Sequence, residues 1–180
     1  HRLQHCLGVA EMCVRLAQEY GVDVVKARLA GILHDWDKGY DDQGIRQRVD
    51  ELGMRIDPFV YNALPRVLHA HTAPVAIRKA FPRVPEDVLR AMDRHTVAAC
   101  DMSDLDMVLY IADAIEPNRV YPEVDELRAK IGVVSLEEFF FSIYEYWIMR
   151  MMGRKMLLHP NTVDVWNHYA GRAALRAKEN

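Results

Sequence analysis

A chain of 180 residues, 51% hydrophobic and 27% charged, has apolar side chains enough for one buried core, and its charges break every apolar run short of a membrane span. Its net charge of -3 gives no electrostatic reason to expect nucleic-acid or membrane binding. Cys6, Cys13 and Cys100 have neither metal-type nor disulfide-type spacing, and with no export signal visible they favour a reducing, cytoplasmic setting.

Nearly every segment reads as helix. The chain opens inside one, and a preceding N-terminal piece is expected. In this first helix Leu3, Leu7, Ala10, Val14 and Ala17 recur at three- and four-residue steps, and Gly21 supplies the stop. Cys6 and Cys13 lie two turns apart and read as small buried hydrophobes. Asp23 suits the N-cap of a helix over 24–35, with Leu29, Ile32 and Leu33 on its apolar side and Gly39 beyond its end. A polar helix over 42–52 ends at Gly53. Pro58, Pro65, Pro74, Pro82 and Pro85 then imply short helices, over 58–63, from 65 or 72 to 81, and over 85–95.

Ser103 caps an apolar helix over 105–115, stopped before Pro117, and another helix is expected over 122–131. Ser135-Leu-Glu-Glu138 is a capping box opening a helix over 136–152. Its Phe139, Phe140, Ile143, Tyr146, Trp147 and Met151 form a stripe that serves a core or a homodimer, the core being favoured. Pro160-Asn161-Thr162 opens a last helix, with a frayed tail over 176–180. No alternation of apolar and polar residues argues for a sheet. The expected fold is all-α, one compact domain over 1–175.

The chemistry centres on Leu33-His34-Asp35-Trp36-Asp37-Lys38. Adjacent side chains on a helix diverge by about 100°, so His34 and Asp35 converge only on an ion beyond their shared edge. Both are expected to ligate a metal, with further ligands from distant helices. Asp113 sits within the apolar run 109–115, where a carboxylate is costly unless paired or bound to a cation. Simpler readings stay open. A His-Asp dipeptide arises by chance, His5 suits a surface or a core, Asp113 could face Arg119, and His159 before Pro160 could be a helix-end contact. A mixed nitrogen and oxygen set suits iron, manganese or zinc better than calcium.

Order and spacing add to this. His1-Arg2-Leu3-Gln4-His5, Leu33-His34-Asp35-Trp36-Asp37-Lys38, Leu68-His69, Arg94-His95-Thr96, Ile111-Ala112-Asp113-Ala114-Ile115-Glu116-Pro117-Asn118-Arg119 and Leu158-His159-Pro160 run through nearly the whole chain. The pattern resembles the HD superfamily of metal-dependent phosphohydrolases, and within it the YqeK-type symmetrical diadenosine tetraphosphate hydrolases. The resemblance implies an HD-type helical fold and hydrolysis of diadenosine tetraphosphate to two ADP. It implies His5, His34, Asp35 and Asp113 as metal ligands, with iron the ion usually associated. Arg2, Lys38, His69, His95, Thr96 and Arg119 match positions at the nucleotide, as do Trp36 and Asp37 within the central motif and His159, Pro160 and Asn161 in the late stretch. Asp35, Lys38, His69 and His95 are the expected catalytic groups. His69 or His95 would stabilise the phosphates, bind a second ion or protonate the leaving phosphate, while Lys38, Arg2 and Arg119 spread positive charge, with Arg94 also near the cleft.

Two departures stand out. The family tends to a glycine after His69, where Ala70-His71 stands, and His69 is favoured over His71 as the residue facing the site. A glycine-containing turn after Thr96 is replaced by Val97-Ala98-Ala99-Cys100. The alternative functions are cleavage of another nucleotide, or regulation by metal and nucleotide binding without useful turnover.

Overall fold

The computed structural model describes residues 2–179, and all of its regular structure is helical. In chain order the helices are α1 (Arg2–Tyr20), α2 (Val24–Leu33), α3 (Asp42–Glu51), α4 (Pro58–Ala63), α5 (Leu68–Ala80), α6 (Glu86–Arg94), α7 (Asp104–Ile115), α8 (Val124–Arg128), α9 (Leu136–Gly153) and α10 (Thr162–Glu179). A 3₁₀ turn, Pro65–Val67, leads into α5.

Side-chain caps set most of the starts. Asp23 accepts from the amides of Val25 and Lys26, Asp57 from those of Phe59 and Val60, and Asp41 from that of Gly44. Ser103 with Asp106 and Ser135 with Glu138 form reciprocal capping boxes at α7 and α9.

Helix α7 is apolar almost all round and is therefore the centre of the core: its residues 105–112, 114 and 115 are buried. Helices α1, α6 and α9 pack around it, α2 lies against α1, α6 and α7, and α5 lies against α6. A smaller cluster of Ile45, Val49, Val60 and Leu68 ties α3 and α4 to the start of α5. Gly31 sets the closest approach of α1 and α2, since a Cβ there would stand 2.7 Å from the Cα of Ala10.

The structure corrects several expectations. The buried face of α1 carries Val9, Met12, Cys13 and Leu16 along with Ala10 and Ala17 of the expected row, whereas Leu3 is 73% and Leu7 48% exposed. Both rows have helical spacing, so periodicity alone does not choose between them. Of the cysteines, Cys13 is buried and Cys6 half-buried. Helix α2 stops at Leu33 rather than 35, because the amides of Trp36 and Lys38 bond back only three residues, to Leu33 and Asp35. Pro74 lies inside α5 and leaves the Ala70 carbonyl without a helical donor. The segment over 122–131 is helical only in α8. The last helix runs through Glu179, while His1 and Asn180 lie outside the described residues.

Arg94 does not reach the cleft. Its Nη1 donates to the fully buried Asp106 Oδ2 at 3.0 Å, and its Nη2 to Asp101. Asp106 also accepts from the Ser103 amide at 2.9 Å. Replacing Asp106 by Ala takes the acceptor from the Ser103 amide and the buried counter-charge from Arg94, whose Nη1 keeps only the Asp101 carbonyl, and urea unfolding should show a loss of about 3 kcal/mol.

Candidate metal centre

Three histidines are held in the same way. His34 Nδ1 donates to the Gly31 carbonyl at 2.8 Å, His69 Nδ1 to that of Arg66 at 2.7 Å and His95 Nδ1 to that of Met92 at 2.6 Å. Each carbonyl lies three residues upstream, in the last turn of α2, in the 3₁₀ turn or in the last turn of α6, where backbone acceptors outnumber donors. A carbonyl only accepts, so each Nδ1 carries the hydrogen and each neutral ring presents its Nε2 lone pair inward. All three rings are buried.

His5 reaches the same point from α1. Its Nδ1 faces Glu116 Oε1 at 3.2 Å, and its Nε2 lies 3.1 Å from Asp113 Oδ1 and 3.7 Å from Asp35 Oδ2. Glu116, at the end of α7, is buried and accepts at Oε2 from the Asn118 amide and Nδ2. Gly8 makes room for it: a Cβ there would stand 2.5 Å from Glu116 Oε2. A carboxylate behind the outer nitrogen of an imidazole orients the ring and makes its inner nitrogen a better donor to metal.

The inward atoms converge. His34 Nε2 is 3.5 Å from Asp35 Oδ1 and 3.9 Å from Asp113 Oδ1; His69 Nε2 and His95 Nε2 are 3.2 and 3.6 Å from Asp35 Oδ1 and 3.2 Å from each other. Three sets of ligand atoms lie close enough to hold an ion: His5, His34 and Asp35; His34, His95 and Asp113; and Asp35, His69 and His95. His34 Nε2 and Asp35 Oδ1 are buried without any hydrogen-bond partner. Lone pairs and carboxylates packed together this way repel one another unless a cation lies among them, so the residues fit a divalent metal.

Protonation agrees with that fit. Burial lowers the His34 pKa to about 4, which leaves a neutral ligand at physiological pH. Burial alone would raise Asp35 and Asp113, yet the cationic side chains beside them, Lys38 at Asp35 and Arg119 at Asp113, favour the ionised forms, and both carboxyls are held below the usual carboxylate range. Hydrogen bonding to Asp113 raises the pKa of His5.

The other expected residues divide. Lys38 Nζ stands 3.0 Å from His69 Nε2 and 3.6 Å from Asp35 Oδ1. Arg119 binds Asp113 from outside the cluster, Nη2 to Oδ1 at 2.6 Å and Nε to the carbonyl at 2.9 Å, so the ion pair forms while Oδ1 still lies beside His34 and His95. Arg2 borders cavities beside Lys38 and beside His5. Trp36 turns outward onto Phe81, and Asp37 is buried against Arg48 Nε at 3.3 Å. His71 pairs with Asp93 at 2.7 Å, away from the cluster, leaving His69 as the inward residue.

A cavity of about 210 Å³ lies past His95 and Asp113, walled by Thr96, Tyr110, Trp147 and Met151. A smaller one of about 70 Å³ shares Thr96, Tyr110 and Met151 with it and reaches His159. The Thr96 hydroxyl is buried without a partner. Asn161 donates to the Ala98 carbonyl at 3.2 Å and faces His159 Nδ1, while Pro160 is exposed. Ala98 holds the left-handed turn at φ 59°, a conformation in which glycine is free and alanine strained.

Sequence reasoning missed Glu116, Tyr110, Trp147 and Met151 as site residues. Phe139, Phe140 and Ile143 of the α9 stripe are buried in the core. One and two turns further on, Trp147 and Met151 leave it to wall the cavity. Their four-residue spacing carried that signal.

An HD domain model matches residues 2–118. The chain belongs to the HD-domain family. Within it, the chain is 33% identical over 167 residues to a symmetrical bis(5'-nucleosyl)-tetraphosphatase of Halalkalibacterium halodurans, covering 93% of this chain and 88% of that one. A second symmetrical bis(5'-nucleosyl)-tetraphosphatase, of Staphylococcus aureus, is 31% identical, with 93% and 86% covered. A crystal structure of a "predicted HD superfamily hydrolase involved in NAD metabolism" from Clostridium acetobutylicum superposes with a TM-score of 0.87 at 32% identity, covering 95% of this chain and 89% of that one.

For this HD domain, His34→Ala and Asp113→Ala should each lose bound metal on elemental analysis while circular dichroism keeps the helical signal. Glu116→Ala should weaken metal binding about 10- to 100-fold, read by titration against a competing chelator.

Proposed function

We propose that the chain hydrolyses diadenosine tetraphosphate symmetrically, giving two ADP. The observation that carries this is the convergence of four inward imidazole nitrogens and two carboxylates beside Lys38 and Arg119, in a chain of the HD family with symmetrical tetraphosphatase relatives. His5, His34, Asp35 and Asp113 would hold the metal, with iron our reading and manganese or zinc the alternatives; when bound, the ion supplies Lewis acidity, polarising a phosphoryl oxygen and acidifying water.

The remaining work falls to the protein's own side chains. Lys38 Nζ, already turned to the cluster, meets charge building on non-bridging oxygens, and Arg2 and Arg119 extend that field along the polyphosphate. His69 commits its only hydrogen as a neutral ring to the Arg66 carbonyl, so its Nε2 accepts rather than protonates a leaving phosphate. That role is dispensable, since a diphosphate leaves as its anion. Of the roles open to His69 and His95, their bare Nε2 atoms beside Asp35 favour holding a second ion. Thr96, Tyr110, Trp147 and Met151 form a pocket with one unpartnered hydroxyl among aromatic and apolar walls, suited to a nucleoside. His159 borders its inner extension.

No described helix is long and apolar enough to cross a membrane. The cytoplasmic setting remains our reading of the cysteines.

Lys38→Ala should lower kcat about 100-fold with metal still bound, as expected for removing one preorganised donor. Product chromatography should show ADP alone from diadenosine tetraphosphate; ATP with AMP contradicts the assignment.

A further inference from the structure

We propose that a second cavity, between the turn after α2 and the 3₁₀ turn, receives the other nucleoside diphosphate half of the substrate. This rests on the tetraphosphatase reading and deepens it. Cleavage at the central bridge leaves a nucleoside and two phosphates on each side of the broken bond. A site that cuts there needs space and positive charge on both flanks of the cluster.

One flank is the cavity past His95 and Asp113. On the other, a cavity of about 510 Å³ opens past His69 and Lys38, and the two have no lining residue in common. Its volume lies within the range of small-molecule pockets. Arg2, Lys38 and Arg66 bring three cations to its wall. Of its two carboxylates, Asp37 is already met by Arg48. Arg66 makes no side-chain ion pair or hydrogen bond among the described residues, and its carbonyl fixes the His69 ring, so one turn sets both the cation and the inward imidazole. Tyr40, 48% exposed, lines it together with Ile45 and Pro65, and the Arg48 guanidinium lies 5.9 Å from the centre of the Tyr40 ring, so the wall offers one aromatic and two apolar side chains to a base. A third cavity, of about 490 Å³ over His5, shares Arg2 with this one and adds Arg119, but it is lined by the Asp35 and Glu116 carboxylates and by no Phe, Tyr or Trp, so it offers phosphate contacts without a stacking wall for a base.

In the step this arrangement serves, the oxygen of water bonds to one central phosphorus as its bond to the bridging oxygen breaks. The bridging oxygen departs with the electron pair on the diphosphate held by Lys38 and Arg66; one proton of the water passes to solvent and the other stays on the new terminal phosphate until that group ionises. One dinucleoside tetraphosphate and one water thus give two nucleoside diphosphates, one of them carrying that hydrogen, and one released proton.

Equilibrium titration of the metal-loaded protein with ADP reads this subsite without turnover. The wild-type chain should bind two ADP and Arg66→Glu one. The KM of Arg66→Glu for diadenosine tetraphosphate should rise about tenfold, with Arg66→Lys recovering most of it and the circular dichroism of both unchanged. A single ADP on the wild-type chain, two on Arg66→Glu, or an unchanged KM in Arg66→Glu overturns the proposal. If the wild-type chain fails to hydrolyse diadenosine tetraphosphate, the proposed function fails, and the ADP count still decides whether the cavity binds nucleotide.

Discussion

The structure depends on where three histidines keep their hydrogens. Each of His34, His69 and His95 spends its Nδ1 hydrogen on a carbonyl three residues back, at the end of a helix or turn, and so faces inward with a bare Nε2. His5, backed by Glu116, brings the fourth. Secondary structure thereby fixes the tautomer, and the tautomer makes a cluster of acceptors that a cation satisfies. Without one, the buried carboxylate of Asp35 and the orphaned nitrogen of His34 carry a desolvation penalty of several kcal/mol.

The surrounding packing supports this. Helix α7 is buried along nearly its whole length and carries Asp113 out of the core to the cluster. Gly31 lets α1 close on α2 beside His34, and Gly8 lets Glu116 close on α1 one turn from His5. The turn after Thr96 carries left-handed strain at Ala98, and Asn161 ties that turn to the segment before α10. Strain held by a cross-chain hydrogen bond beside a cavity fits a site whose shape matters more than its local comfort.

Much of this was legible in the sequence, and the reasons differ by residue. The caps at Asp23, Ser103 and Ser135 announce helices because their chemistry is local. The cluster was legible through motif order, since His5, His34, Asp35 and Asp113 lie on elements that pack together. The end of α2 was not, because nothing in His34-Asp35-Trp36 forbids another helical turn. Nor was the buried face of α1, where two apolar rows compete and tertiary packing chooses. Arg94 was misplaced near the cleft because nothing local marks Asp106, 12 residues on, as its partner; the packing of α6 on α7 brings the two together. Trp36 gave a motif position, yet its ring packs outward on Phe81.

The most direct test is anomalous diffraction from crystals of the metal-loaded protein, at the absorption edge of the metal that elemental analysis finds. The account predicts a peak bounded by Nε2 of His5 and His34 and the carboxylates of Asp35 and Asp113. Crystals of a protein that elemental analysis shows to be metal-loaded, with no anomalous peak among those four side chains and His34 Nε2 bonded to water or protein instead, contradict it.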